Sequence, residues 1–153
     1  MSDNEQFFTI DVTDQQSAMK VDADELRRAV AMIVDDADIR LGRIGIAVVD
    51  DPTIHRINRE FLDHDWPTDV ISFVLEETPG YLEGEIIMST DTAIDRSSDY
   101  GWSPADELLL YVVHGTLHLV GYDDHEDDDR QAMREKERHY MSQFGRTARY
   151  DDQ

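Results

Sequence analysis

Apolar positions along this chain fall into short blocks whose spacing alternates between the two-residue period of strands and the 3.6-residue period of helices. Phe7 to Val12 alternates as a strand. Asp22 or Asp24 can cap a helix running to about Asp36, with Leu26, Val30, Ile33 and Val34 on one face. Arg43 to Val49 reads as a buried strand. Asp50-Asp51-Pro52 then turns the chain, and Pro52 opens a second helix through Ile54, Ile57, Phe61 and Leu62. Val70 to Leu75 and Glu85 to Met88 are two further strands on either side of a Pro79-Gly80 turn. Thr90 to Asp99 is a short helix ending near Gly101. Ser103 as N-cap and Pro104 at the first helical position open a strongly apolar helix with Asp106 and Glu107 in its first turn, and Gly121 is its natural stop. A last helix, acidic at its start and arginine-bearing later, covers about Glu126 to Phe144. Residues 1–6 and 146–153 are expected to fray. This order predicts a single α+β (α/β-like) domain over 1–153, with one mixed four-stranded sheet covered by about five helices.

Charge changes the picture. Thirty-five acids, 24 of them Asp, stand against 14 bases, only Lys20 and Lys136 being lysines, for a formal net charge of −21. Such a surface repels polyphosphate at long range, so any anionic substrate must be met by a local arginine cluster or a metal. The absence of cysteine excludes disulfides, thiolate catalysis and cysteine-ligated zinc. No apolar run reaches the ~20 residues of a membrane span, and the N-terminus lacks a secretory pattern, which predicts a soluble cytoplasmic protein.

The chemistry concentrates on the apolar helix. His114 and His118 are four residues apart, a spacing that stacks both imidazoles on one face within reach of a single metal. Gly121 ends the helix three residues later, and the Tyr122-Asp123-Asp124-His125 turn can return a third ligand, Asp124 or His125. The bland alternative is a pair of core histidines bonded to backbone or carboxylates; the clustered acids and His125 favour a metal. Glu107 lies on the same stripe and serves either to start the helix or, less favoured, to hold a histidine's second nitrogen. Gly115 occupies the position where zinc peptidases of the H-E-x-x-H type carry their glutamate base, so that chemistry is missing.

The segment His114-Gly115-Thr116-Leu117-His118-Leu119-Val120-Gly121-Tyr122-Asp123 resembles the signature H-G-x-L-H-L-x-G-Y-D-H of the YbeY family of bacterial rRNA maturation factors and endoribonucleases, and ten of the eleven signature positions fit. Pro67-Thr68-Asp69-Val70-Ile71-Ser72-Phe73 is similar to the family's P-T-D-V-L-S-F, and Gly84-Glu85-Ile86 to its G-D-I strand. Asn58 falls where the family helix carries asparagine. In gapless register the family's third histidine falls on Asp124, with His125 one residue late; the unbroken match through Glu126-Asp127-Asp128 to Met133 favours Asp124 and ligand quality favours His125. Leu62 stands where the family usually has an arginine.

The resemblance implies a single-strand-specific endoribonuclease dependent on one Zn²⁺ per chain, held by His114, His118 and Asp124 or His125 at the end of a central helix. It also implies maturation of the 16S rRNA 3′ end, late-stage 70S ribosome quality control, and small-subunit rRNA and proteins as partners. Glu107 and His64 are weak catalytic candidates; Arg96, Arg134, Arg138 and Arg146 are candidates for phosphate contact. The alternative is a ribosome-associated assembly factor with a mainly structural zinc and little nuclease activity, which the acidic surface and Leu62 favour.

Overall fold

The computed structural model describes residues 8–62 and 69–148. Its elements follow the order β1 (Phe8–Asp14), α1 (Ala23–Asp36), β2 (Leu41–Val49), α2 (Asp51–Leu62), β3 (Val70–Thr78), β4 (Tyr81–Ser89), α3 (Thr90–Tyr100), α4 (Pro104–Leu119) and α5 (Asp127–Gln143). Asp22 caps α1 by accepting from the Glu25 amide, and Ser89 caps α3 in the same way from Thr92. β3 and β4 run further than their apolar cores predict, because their polar outer halves pair as a hairpin closed at Pro79-Gly80, where Gly80 takes φ 77°. A bulge between Val74 and Glu76 bends the free edge of that hairpin.

The sheet is mixed, with strand order β1-β2-β4-β3: β1, β2 and β4 are parallel, and β3 is antiparallel to β4. Alternation along the parallel strands sends Ile44, Ile46, Val48, Leu82, Ile86 and Met88 into one core with α1 and α4. Residues of the opposite register, Val49 and Ile71, form a smaller core with Ile54 of α2. The three parallel strands account for the need for helical crossovers, and the antiparallel β3 needs only a turn.

α4 is the central element, packed on α1, α3, α5, β3 and β4. Its apolar residues are therefore not confined to one stripe: Leu108, Leu109, Val112, Val113, Leu117 and Leu119 are all buried. Its close seat on the sheet depends on missing side chains. A Cβ on Gly115 would lie 3.1 Å from a methyl of Ile86, and one on Gly84 of β4 would lie 3.0 Å from Leu119. At its start, Ser103 and Asp106 form a reciprocal capping box.

The chain is tied down after α5 at residues 145–148. Gly145 (φ 74°) reverses the chain after α5, the amides of Gly145 and Arg146 closing onto the carbonyls of Ser142 and Met141. Arg146 then bridges Asp106 of α4 at 2.6 Å and Glu25 of α1 at 2.8 Å, and Ala148 is buried. An arginine with two partly buried carboxylates holds what composition alone leaves loose. Residues 1–7 and 149–153 lie outside the described residues. Among the described residues, no helix is long and apolar enough to cross a membrane.

Candidate metal centre

His114 and His118 project from α4 one turn apart, with rings edge-to-face at 80° and centroids 4.6 Å apart. Their Nε2 atoms converge to 3.1 Å. Past Val120 the helix ends in a Schellman turn. Gly121 adopts φ 109° and donates to His118 O, and Tyr122 donates to Leu117 O. This reversal brings Asp124 back over the histidines, its amide held by the Asp123 carboxylate at 2.7 Å. Asp124 Oδ2 lies 3.7 Å from His114 Nε2 and 3.5 Å from His118 Nε2.

Three donor atoms thus form a triangle with edges of 3.1, 3.5 and 3.7 Å. Tetrahedral zinc bonds of about 2.0–2.2 Å require donor–donor edges of roughly 3.3–3.5 Å. The triangle fits such an ion with side-chain shifts of a few tenths of an ångström. Two imidazoles and a carboxylate are also the donor set that a borderline-soft divalent metal accepts.

Glu137 of α5 orients the cluster. Its Oε2 lies 2.6 Å from His114 Nδ1, so in the neutral ring Nδ1–H donates and the Nε2 lone pair faces the triangle. Burial acts to lower the pKa of His114. The hydrogen bond and charge of Glu137, with Asp69 and Asp124 behind them, outweigh burial and hold it above the ordinary imidazole value.

The centre opens into a cleft of about 220 Å³ whose walls include Asp69, Arg96, Tyr100, Glu107, Tyr111, Arg130 and Arg134. Glu107 is buried and neither caps the helix, which Asp106 does, nor holds a histidine; it accepts a 2.8 Å bond from the Trp102 indole. Burial pushes its carboxyl above the ordinary value against the pull of that bond. Next to it the buried Tyr111 hydroxyl interacts with the Glu107 carboxylate. Burial, followed by the charges of Glu107 and Asp69, drives its pKa far up, so it stays protonated.

The predicted site residues separate cleanly. His114, His118 and Asp124 form one cluster. His125 is largely exposed and points at Asp123 Oδ1, 3.2 Å away, so it joins Asp123 and Asp124 on the outside of the turn. His64 lies outside the described residues, and Leu62 is the last residue of α2. Of the arginines, Arg96 and Arg134 line the cleft, Arg138 lies beyond it on α5, and Arg146 is engaged at the opposite end of α4. Glu137, Arg130 and Tyr111 of the cleft carry no motif that singles them out in the sequence. Glu137 had a signal, since it interrupts the buried face Met133, Tyr140, Met141 of α5 with a carboxylate.

Fold and cluster together define a single-domain α+β protein with a metal-ready His-His-Asp centre in an arginine-lined cleft. A family model described as endoribonuclease YbeY matches residues 11–145, nearly the whole chain, and the chain belongs to the YbeY family. It is 54% identical over 106 residues to a Rhodopirellula baltica protein named endoribonuclease YbeY, covering 68% of this chain and 55% of that protein. The chain thus spans little more than half the length of that relative. A Salinibacter ruber protein of the same name is 39% identical over 131 residues, 80% of this chain and 83% of its own. The solution structure of TM1509 from Thermotoga maritima is similar at a TM-score of 0.60 and 28% identity, over 88% of this chain and 87% of that one.

Proposed function

We propose that the chain is a zinc-dependent endoribonuclease that cleaves single-stranded RNA, acting in the cytoplasm on small-subunit rRNA at the maturing 16S 3′ end and in 70S quality control. The observation that carries this reading is the coincidence, in one cleft, of the His114–His118–Asp124 triangle with Arg96, Arg130 and Arg134. His125 serves in this reading to shape the turn and Asp124 to hold the ion. Zinc, when bound, supplies Lewis-acid stabilisation of charge on a phosphodiester. The remaining work belongs to the protein. Arg96 from α3 and Arg134 from α5 face the cleft from different helices, so a phosphate between them is neutralised from two sides. Glu107, with its raised pKa and fixed by Trp102, is placed to hold or release a proton at its carboxylate. Tyr111 adds a buried, protonated hydroxyl beside it in the wall of the cleft.

Activity supports this over a purely structural metal if cleavage of single-stranded RNA stops in chelator, returns with zinc, and circular dichroism is unchanged throughout. A His114→Ala/His118→Ala protein should bind no zinc and cut no RNA. Cleavage surviving in that folded variant, or none by the zinc-loaded parent, overturns the reading.

A further inference from the structure

The basic residues of this chain are few and unevenly placed. Four of the 14 lie on α5, and three of these, Arg130, Arg134 and Arg138, are spaced four residues apart. Four residues of α-helix advance about 6 Å, so the guanidinium groups form a stripe that drifts only slowly around the helix. Arg130 and Arg134 line the metal cleft. The same two, with Arg138, Asp127 and Gln131, line a second, shallow groove of about 270 Å³ on the outer side of α5. The two depressions therefore share Arg130 and Arg134, which sets the second groove beside the cleft that holds His114 and Asp124. Arg130 anchors the near end, donating to the Asp124 carbonyl at 3.3 Å and pairing with Asp127.

In a chain of net charge −21, a helix face bearing three arginines that begins at the metal centre is a local exception to the field. Its linear spacing suits successive phosphates of an extended strand better than a compact anion. We propose that the Arg130–Arg134–Arg138 stripe is the track for the flanking RNA, holding the backbone phosphates of the single strand on one side of the scissile bond and so fixing where along the strand the cut falls. This rests on the endoribonuclease reading and extends it: the cleft performs the cleavage, and the outer groove grips the strand.

The test uses zinc-loaded protein, an Arg138→Ala variant and an Arg138→Glu variant. Arg138 is exposed and does not line the metal cleft, so both variants should keep their circular dichroism and zinc content. Binding to single-stranded RNAs of increasing length, from a dinucleotide upward, is measured by fluorescence anisotropy across a salt series, with cleavage sites mapped in parallel. For the parent, affinity should climb with length and then level off once the track is filled. Arg138→Ala should weaken binding of the long RNAs several-fold, leave the dinucleotide unaffected, and reduce the salt slope by about 0.7–1. Arg138→Glu should weaken it further and spread the cut positions. If the parent cuts RNA while both variants match it in affinity, slope and cut positions, the track is wrong and the nuclease reading stands. If the zinc-loaded parent neither binds nor cuts RNA, the nuclease reading fails and the track with it. Poly-L-glutamate bound as tightly as RNA, with the same sensitivity to Arg138, would assign the stripe to an acidic protein partner and overturn the proposal.

Discussion

Glu137 Oε2 lies 2.6 Å from His114 Nδ1, tying the last helix to the central one directly behind the metal triangle. The two residues are 23 apart in sequence, and the carboxylate is 2% exposed. A buried carboxylate in this place fixes the imidazole tautomer and raises its basicity as a ligand.

Glu137→Ala should therefore lower zinc affinity by about 10- to 100-fold without removing any atom of the triangle. Glu137→Gln keeps an acceptor oxygen for Nδ1–H and loses the charge, so its loss should be smaller. Competition against a chromogenic chelator separates the three proteins. Equal affinity in all of them would show that the contact only packs α5 onto α4.

The third ligand gives a sharper contrast. Asp124→Ala removes a corner of the triangle and should cost more zinc affinity than Glu137→Ala, whereas His125→Ala should leave it nearly unchanged. Zinc content after dialysis against a weak chelator reads the difference directly. The reverse order would place the ion on the outer Asp123–Asp124–His125 group.

Why these two residues differed in legibility is physical. Asp124 was visible because Gly121 forces a reversal and the ligand must come from the few residues that follow it. The choice between Asp124 and His125 stayed open in the sequence, since one residue of slip in a turn exchanges inside for outside. The turn's hydrogen bonds set which of the two side chains faces the histidines, and they exist only in three dimensions. Glu137 could be placed on the buried face of α5 but not paired with His114, because that face states only that it packs and not against which residue. The nine elements, by contrast, followed from period, caps and Gly/Pro punctuation. The polar halves of the β3–β4 hairpin escaped because they lack the apolar alternation of a half-buried strand, and the docking of Arg146 because its partners Glu25 and Asp106 lie far away in sequence.

Gly115 tests the boundary with zinc peptidases. A Cβ there would lie 3.1 Å from Ile86 and 3.4 Å from Val70 on the sheet, so a side chain at this position starts in a crowded interface. Gly115→Glu would restore the peptidase spacing and should yield no casein hydrolysis. Forcing a carboxylate into that interface should cost about 3 kcal/mol or more, from overpacking and burial without a partner. Chemical denaturation measures the cost; appreciable proteolysis by this variant would count against the cleft as described.

Arg146 links the termini of α1 and α4 through two carboxylates that are each mostly buried. Arg146→Met keeps the aliphatic stem and leaves Glu25 and Asp106 without their cation. The expected loss is about 1–3 kcal/mol, larger than for an exposed pair such as Arg27–Asp24, whose removal should be near neutral. Urea unfolding of the two variants side by side provides the comparison, and equal losses would mean the C-terminal segment is not held by charge.

Glu107 predicts a pH-dependent trade between stability and activity. Burial raises its carboxyl pKa in the folded state, against the Trp102 hydrogen bond, so the native protein binds this proton more tightly than the unfolded chain does. The stability linked to this group is full below the unfolded value of ~4.3 and is lost as pH rises through the higher folded value. Glu107→Gln substitutes a neutral amide whose oxygen can still accept from the Trp102 indole. The variant should be the more stable protein at neutral and alkaline pH, with the gap closing as pH falls toward ~4.3. Unfolding is followed in chelator throughout, so that loss of metal in acid contributes nothing. RNA cleavage should move the other way, because the amide can neither take nor release a proton in the cleft. A variant that is both less stable at neutral pH and fully active would show that the charged carboxylate is held for the fold alone.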